Sequence, residues 1–239
     1  MPTSKAKSRG SPTNKSRGGL GDDIAYLLPM AIFLAFNFVA GKWKSLYGPT
    51  YAIKTVVVAA ALVLLWKHYT KIRWNHWWLG IIVGVAGIFQ WVLMQLWLQR
   101  HVTFVDWFQP AEDAFNPMAA YSQPAMLWGF VTVRIIGAVI VVPVMEELFW
   151  RDFLWRTILA PNNFKLAKVG EWAWAPFLIV AGAFATVHGN WWLTAIFWAA
   201  MVGWLLVYTK SLGACIIAHA TTNLLLAGYV LYTHDWSFW

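Results

Sequence analysis

Cysteine is nearly absent from this sequence, and charge is scarce. A single cysteine, Cys215, in 239 residues excludes an intrachain disulfide and any metal site built from several thiolates. It lies in an apolar run and reads as a small packing residue. Only 12% of residues are charged, where about a quarter is usual for a globular protein. Acid is rarer than base: 10 Asp and Glu against 18 Lys and Arg give a net charge of +8. No internal repeat is visible, which weighs against the paired halves of many transporters. Extended polar sequence is limited to the N-terminal tail and to residues 99–123, which hold Asp106, Glu112 and Asp113.

Apolar surface is what the chain has in excess. Hydrophobic residues make up 60% of it. A protein of this size has too little interior to hide that much from water. The composition therefore excludes a disordered chain and an ordinary soluble enzyme, and makes lipid the solvent for part of the molecule. Seven apolar spans are predicted, at about 24–41, 50–66, 77–98, 133–160, 172–189, 191–208 and 212–232. Pro29 interrupts the first, and no clear cleavage site follows, so it reads as a retained helix. The 19 tryptophans gather where apolar runs meet polar ones, as at Trp74, Trp77 and Trp78, the pattern of a membrane interface. The expected fold is all-α, a polytopic transmembrane helical bundle of about seven membrane-spanning helices. Its expected parts are a disordered basic tail (1–22), one helical domain (23–232) and a short C-terminal tail (233–239).

The bases set the orientation. Lys5, Lys7, Arg9, Lys15 and Arg17 precede the first acid. A basic tail can signal nucleic-acid binding, but a membrane span follows directly, so it reads as a cytoplasmic tail obeying the positive-inside rule. No nucleic-acid partner is expected. Lys67, Lys71, Arg73, Arg151, Arg156, Lys165, Lys168 and Lys210 fall on the same side, giving a cytoplasmic N-terminus and an outer C-terminus. A multi-pass protein of the plasma (inner) membrane is expected. Starting the fourth span near residue 133 brings Arg134 to the outer surface, within reach of Glu112 or Asp113, instead of the bilayer centre where it is costly.

That register sinks Glu146 and Glu147 into the membrane, Glu146 about 21 Å above Ala160. His188 reaches about 24 Å above Trp172, and His219 and Asn223 about 10 and 16 Å above Leu212. Ionisable groups at such depth are functional-site candidates. The spacing of Glu147 and Arg151 suits a structural ion pair. Glu146 points about 100° away and has no evident local partner. His219 and Asn223 share one helix face. Singly, each histidine reads as readily as an interhelical hydrogen-bond donor.

Together these groups suit amide hydrolysis. A carboxylate held away from water is a stronger base and can activate a water molecule. An imidazole and an amide on a facing helix can donate to the developing oxyanion. Glu146, His188 and His219 also form a plausible three-ligand set for Zn²⁺, so metal-activated and glutamate-activated water both stand. Cys215 lies four residues before His219 on the same face, but no separate group activates a thiol there.

Three motifs carry a family resemblance. Glu146-Glu147-Leu-Phe-Trp-Arg151 resembles the EExxxR motif of the CAAX prenyl endopeptidase and bacteriocin-processing intramembrane proteases. Phe184-Ala-Thr-Val-His188 resembles their FxxxH motif, and His219-Ala-Thr-Thr-Asn223 their HxxxN motif. The three occur in family order over about 133–232. The Trp-rich flanks resemble an exosortase-associated branch. The resemblance implies that Glu146 activates water with His188 assisting, that His219 and Asn223 form the oxyanion hole, and that Glu147, Arg151 and Phe184 support them. It implies no cofactor, zinc being the alternative. Asp152 stands where many members have glycine, and an acid there bears on the Glu147–Arg151 pair.

The expected function is an intramembrane endopeptidase that cleaves a membrane-associated peptide, lipidated or plain, near the cytoplasmic leaflet. Its expected partners are that peptide and the bilayer. The alternatives are a metal-dependent form of the same protease and a non-proteolytic transporter or scaffold with the same buried polar site. Metal content and chelation separate the first from the lead.

Overall fold

A computed structural model describes residues 20–110 and 114–239, and the regular structure among them is helical. Seven helices carry the fold: α1 Leu20–Lys42, α2 Tyr47–Leu64, α3 Trp77–His101, α4 Pro124–Leu159, α5 Trp174–Thr186, α6 Trp192–Thr209 and α7 Leu212–Thr233. Each of the seven apolar segments is thus helical. Six are long and apolar enough to cross a membrane. α5 has 13 residues and rises only about 20 Å. It begins after an extended Ala173 and stops before Gly189, which adopts φ +52° and turns the chain toward α6. His188 therefore sits two residues past the last helical residue and not within a 172–189 helix.

The chain is a multi-pass membrane protein. The outward faces of its helices are apolar: Leu64, Phe89, Leu93 and Leu178 are all more than half exposed, as suits contact with lipid. Packing between helices uses small residues. Gly80 and Gly84 on α3 face Ala214 and Ala218 on α7, and a methyl group added at either glycine would lie within 2.6 Å of a backbone carbonyl. Close approach of this kind is how membrane helices gain contact without a hydrophobic driving force.

Two prolines inside helices are handled differently. Pro29 in α1 has no N–H, which orphans the carbonyl of Ala25 four residues back. The Tyr69 hydroxyl donates to that carbonyl at 2.9 Å. Pro143 lies in α4, where the helix opens into wide π turns at Gly137–Val141 and Leu148–Leu154. A π turn pairs a carbonyl with the N–H five residues on. Pro143 cannot supply one to Ala138, and the Asn223 amide does so from α7 at 2.7 Å.

α4 also starts nine residues earlier than the sequence reading placed it. Gln123 is extended and Pro124 opens the helix, a position where its missing N–H costs nothing. Arg134 consequently lies inside the helix and is buried against the protein, where its Nη1 donates to the hydroxyl of Tyr47 at the start of α2. Glu112 and Asp113, its expected partners, lie outside the described residues, as does nearly all of the basic tail. At the far end of the chain, residues after α7 turn back, and Trp236 and Phe238 pack with Val92 of α3 and Val230 of α7.

Candidate active site

α4 presents Glu146 and Glu147 side by side, and the two carboxylates have different surroundings. Glu147 is fully buried. Its Oε1 accepts from Arg151 Nη1 at 3.2 Å and pairs with His219 Nδ1 at 2.9 Å. A spacing of four residues brings Arg151 back over Glu147. The guanidinium of Arg151 is fully buried, 4.9 Å from the centre of the Phe184 ring and 5.4 Å from that of Trp198. Phe184 thus acts as one wall of a cage around the cation.

Glu146 turns the other way. Its carboxylate lines a cavity of about 120 Å³, and its buried Oε2 has no hydrogen-bond partner within the protein. A water molecule occupies about 30 Å³ of liquid, so the cavity has room for several. His188, His219 and Asn223 line the same cavity, with Trp91, Trp198 and Thr222. The structure therefore gathers all four candidate catalytic residues around one space, from α4, the end of α5 and α7.

His188, His219 and Asn223 are each held within the protein through one polar atom. His188 Nδ1 lies 2.7 Å from the Phe184 carbonyl, and its ring stacks on Phe184 at 4.3 Å. A carbonyl only accepts, so Nδ1 carries the proton and the neutral ring offers Nε2 as an acceptor. His219 is held at Nδ1 by Glu147, leaving its Nε2 edge, and packs edge-on to Trp198 at 4.7 Å. Asn223 spends one N–H on Ala138 and keeps a second.

Asp152 has no part in this arrangement. It accepts from the Tyr26 hydroxyl at 2.6 Å and pairs with Arg156, whose Nε donates to the Ala167 carbonyl at 2.9 Å. The acid at this position thus ties α4 to α1 and to the loop after α4, and leaves the Glu147–Arg151 pair alone. Cys215 is fully buried, with Sγ 3.8 Å from the Val202 carbonyl. Among the described residues, no three His, Cys, Asp or Glu side chains are grouped so as to hold a metal ion. Glu146, His188 and His219 share a cavity but do not assemble as the ligand set that the zinc alternative needs.

Residues 126–225 match the family described as Type II CAAX prenyl endopeptidase Rce1-like. This segment is CAAX-endopeptidase-like. The match takes in under half of the chain, and it is to the broad family and not to an exosortase-associated branch. No curated protein and no solved structure matches the chain. The family is one of proteases. The CAAX-endopeptidase-like segment contains every residue named at the cavity except Trp91, which reaches it from α3.

Trp91, Trp198 and Thr222 were not identified from the sequence. Thr222 lies three residues after His219 on the same helix face, a spacing that does point to it. Trp198 carries no such sign, because tryptophans occur throughout this chain. A second cavity of about 510 Å³ adjoins the first and shares Val142 and Asn223 with it.

Proposed function

We propose that the protein is an intramembrane endopeptidase in which Glu146 activates water against a peptide bond, without a metal. The observation that carries this reading is the cavity-facing carboxylate of Glu146, which no side chain among the described residues holds, next to a Glu147 whose Oε1 is bonded to Arg151 and His219. A carboxylate with no partner inside the protein is available to a water molecule.

In the proposed reaction Glu146 takes a proton from water, and the hydroxide oxygen bonds to the scissile carbonyl carbon. His188 Nε2 accepts a hydrogen bond from the same water and orients it. The carbonyl electron pair moves to oxygen, where the second N–H of Asn223 and Nε2–H of His219 receive it. His219 has that second proton as an imidazolium, a form that Glu147 stabilises through Nδ1. With Glu146 and Glu147 ionised, Arg151 and His219 balance their charge. Collapse of the intermediate breaks the C–N bond, and the proton held by Glu146 passes to the departing amine.

The route to the cavity supports a membrane-associated peptide substrate. The 510 Å³ cavity is lined by Ala40 and Lys44 at the α1–α2 turn and by Trp236 and Trp239 at the chain's end. That end of the bundle is opposite Lys71, Arg73 and Lys168, which line a separate cavity. With the basic end in the cytoplasm, the proposed cleavage opens toward the outer leaflet, not the cytoplasmic one expected from depth alone. Depth counts residues along a helix and carries no information on which end is open.

Purified Glu146→Gln protein tests the reading. Loss of all peptide cleavage, with the variant still inserted and folded, is the expected result. Full activity in that variant would refute it.

A further inference from the structure

The 510 Å³ cavity is lined by two buried basic side chains that form no ion pair among the described residues. Lys54 of α2 and Arg134 of α4 both line it, and they are 6% and 9% exposed. A buried cation without a counter-ion is costly, most of all at membrane depth. Among the described residues neither forms an ion pair, and no Asp or Glu is part of the described lining.

Both cations are instead held by neutral groups. Lys54 Nζ donates to Asn37 Oδ1 at 2.7 Å and lies 4.4 Å from the Phe33 ring centre and 4.3 Å from that of Tyr51. Arg134 Nη1 donates to the Tyr47 hydroxyl at 2.7 Å, and the guanidinium lies 4.6 Å from the Tyr51 ring and 5.0 Å from Trp239. These contacts fix the two heads and leave charge and donors unspent, since an ammonium has three N–H groups and a guanidinium five. Tyr51 touches both cations and so places them around one ring. Pockets of several hundred Å³ with a few fixed polar groups are the usual form of a ligand site.

We propose that Lys54 and Arg134 form a subsite for a carboxylate carried by the peptide substrate. The inference rests on the proteolytic reading, because the cavity shares Val142 and Asn223 with the lining of the candidate active site. A guanidinium fork matches the two oxygens of a carboxylate, and the ammonium adds a point charge beside it. The subsite selects which bond is cut by anchoring one end of the peptide while Glu146 works on the other side of Asn223. The carboxylate can be a free C-terminus or an acidic side chain.

Binding to the full-length Glu146→Gln protein in detergent separates this inference from catalysis. The probes are a short fluorescent apolar peptide with a free acid end, the same peptide with an amide end, and the amide peptide bearing one glutamate. A carboxylate-bearing peptide is expected to bind at least about tenfold tighter than the neutral one, ~1.4 kcal/mol. Lys54→Met or Arg134→Met should bring that ratio close to one, and Arg134→Lys should restore part of it. Which of the two acidic peptides gains shows the source of the carboxylate. Equal affinity for all three in the parent protein overturns the subsite. Acid-selective binding without cleavage by the wild type would keep the subsite and remove the proteolytic reading. Cleavage indifferent to the carboxylate would do the reverse.

Discussion

Adjacent glutamates with opposite environments are the centre of this site. One oxygen of Glu147 is bonded to Arg151 and His219 and the other has no partner, while Glu146 is bonded to neither residue and lines the cavity. Neutralising Glu147 leaves Arg151 buried without an anion, and breaking a buried pair in this way costs about 3–5 kcal/mol. Glu147→Gln should therefore lower the thermal unfolding midpoint in detergent, whereas Glu146→Gln should leave it nearly unchanged. The reverse order would mean that the roles of the two carboxylates are exchanged. The spacing of Glu147 and Arg151 was legible in the sequence, and so was the shared face of His219 and Asn223. The bond from His219 to Glu147 was not, because the two are 72 residues apart and no local rule links them. The tie from Asn223 to Ala138 was hidden for a different reason. It depends on a π turn, and only Pro143 hinted at one.

Helix packing places those side chains. α7 carries His219 and Asn223, and it reaches its position because α3 offers glycine where the two helices touch. Gly84→Ala would put a methyl group 2.6 Å from the Ala218 carbonyl and from Thr221 Cβ. Backbone cannot yield there without moving α7, and overpacking of this kind costs about 1–3 kcal/mol. The variant should unfold at lower temperature and lose activity through displacement of His219. Gly182→Ala on α5 is the control: nothing lies within 4 Å of the added carbon, so midpoint and activity should both hold. A Gly84→Ala protein as stable as the control would show that the α3–α7 contact is looser than described. Helix existence was plain from the apolar runs. Helix ends were not: α5 proved shorter and α4 longer than the runs implied, because Gly189 and Pro124 set those ends through backbone geometry, which hydropathy does not register.

Across the whole molecule, charge separates the two ends of the bundle. Lys42 and Lys44 mark the α1–α2 turn, and Lys71, Arg73, Lys165 and Lys168 the opposite end. By the positive-inside rule the second group is expected in the cytoplasm. Single cysteines at exposed Lys42 and Lys71, introduced after Cys215→Ala, report this directly. A membrane-impermeant thiol reagent on intact cells should label Lys42→Cys at once and Lys71→Cys only after permeabilisation. The opposite pattern would invert the molecule and place both cavities toward the cytoplasm. Under the proposed function the same orientation decides from which side a peptide reaches Glu146, since the 510 Å³ cavity is lined by residues of the α1–α2 turn.

The most direct test of the account is cleavage of a peptide panel, acid-ended and amide-ended, lipidated and plain, by detergent-purified wild type and Glu146→Gln protein, each with and without chelator. The account predicts chelator-resistant cleavage by the wild type and none by the variant. Cleavage that survives in Glu146→Gln, or that a chelator abolishes in the wild type, would contradict it.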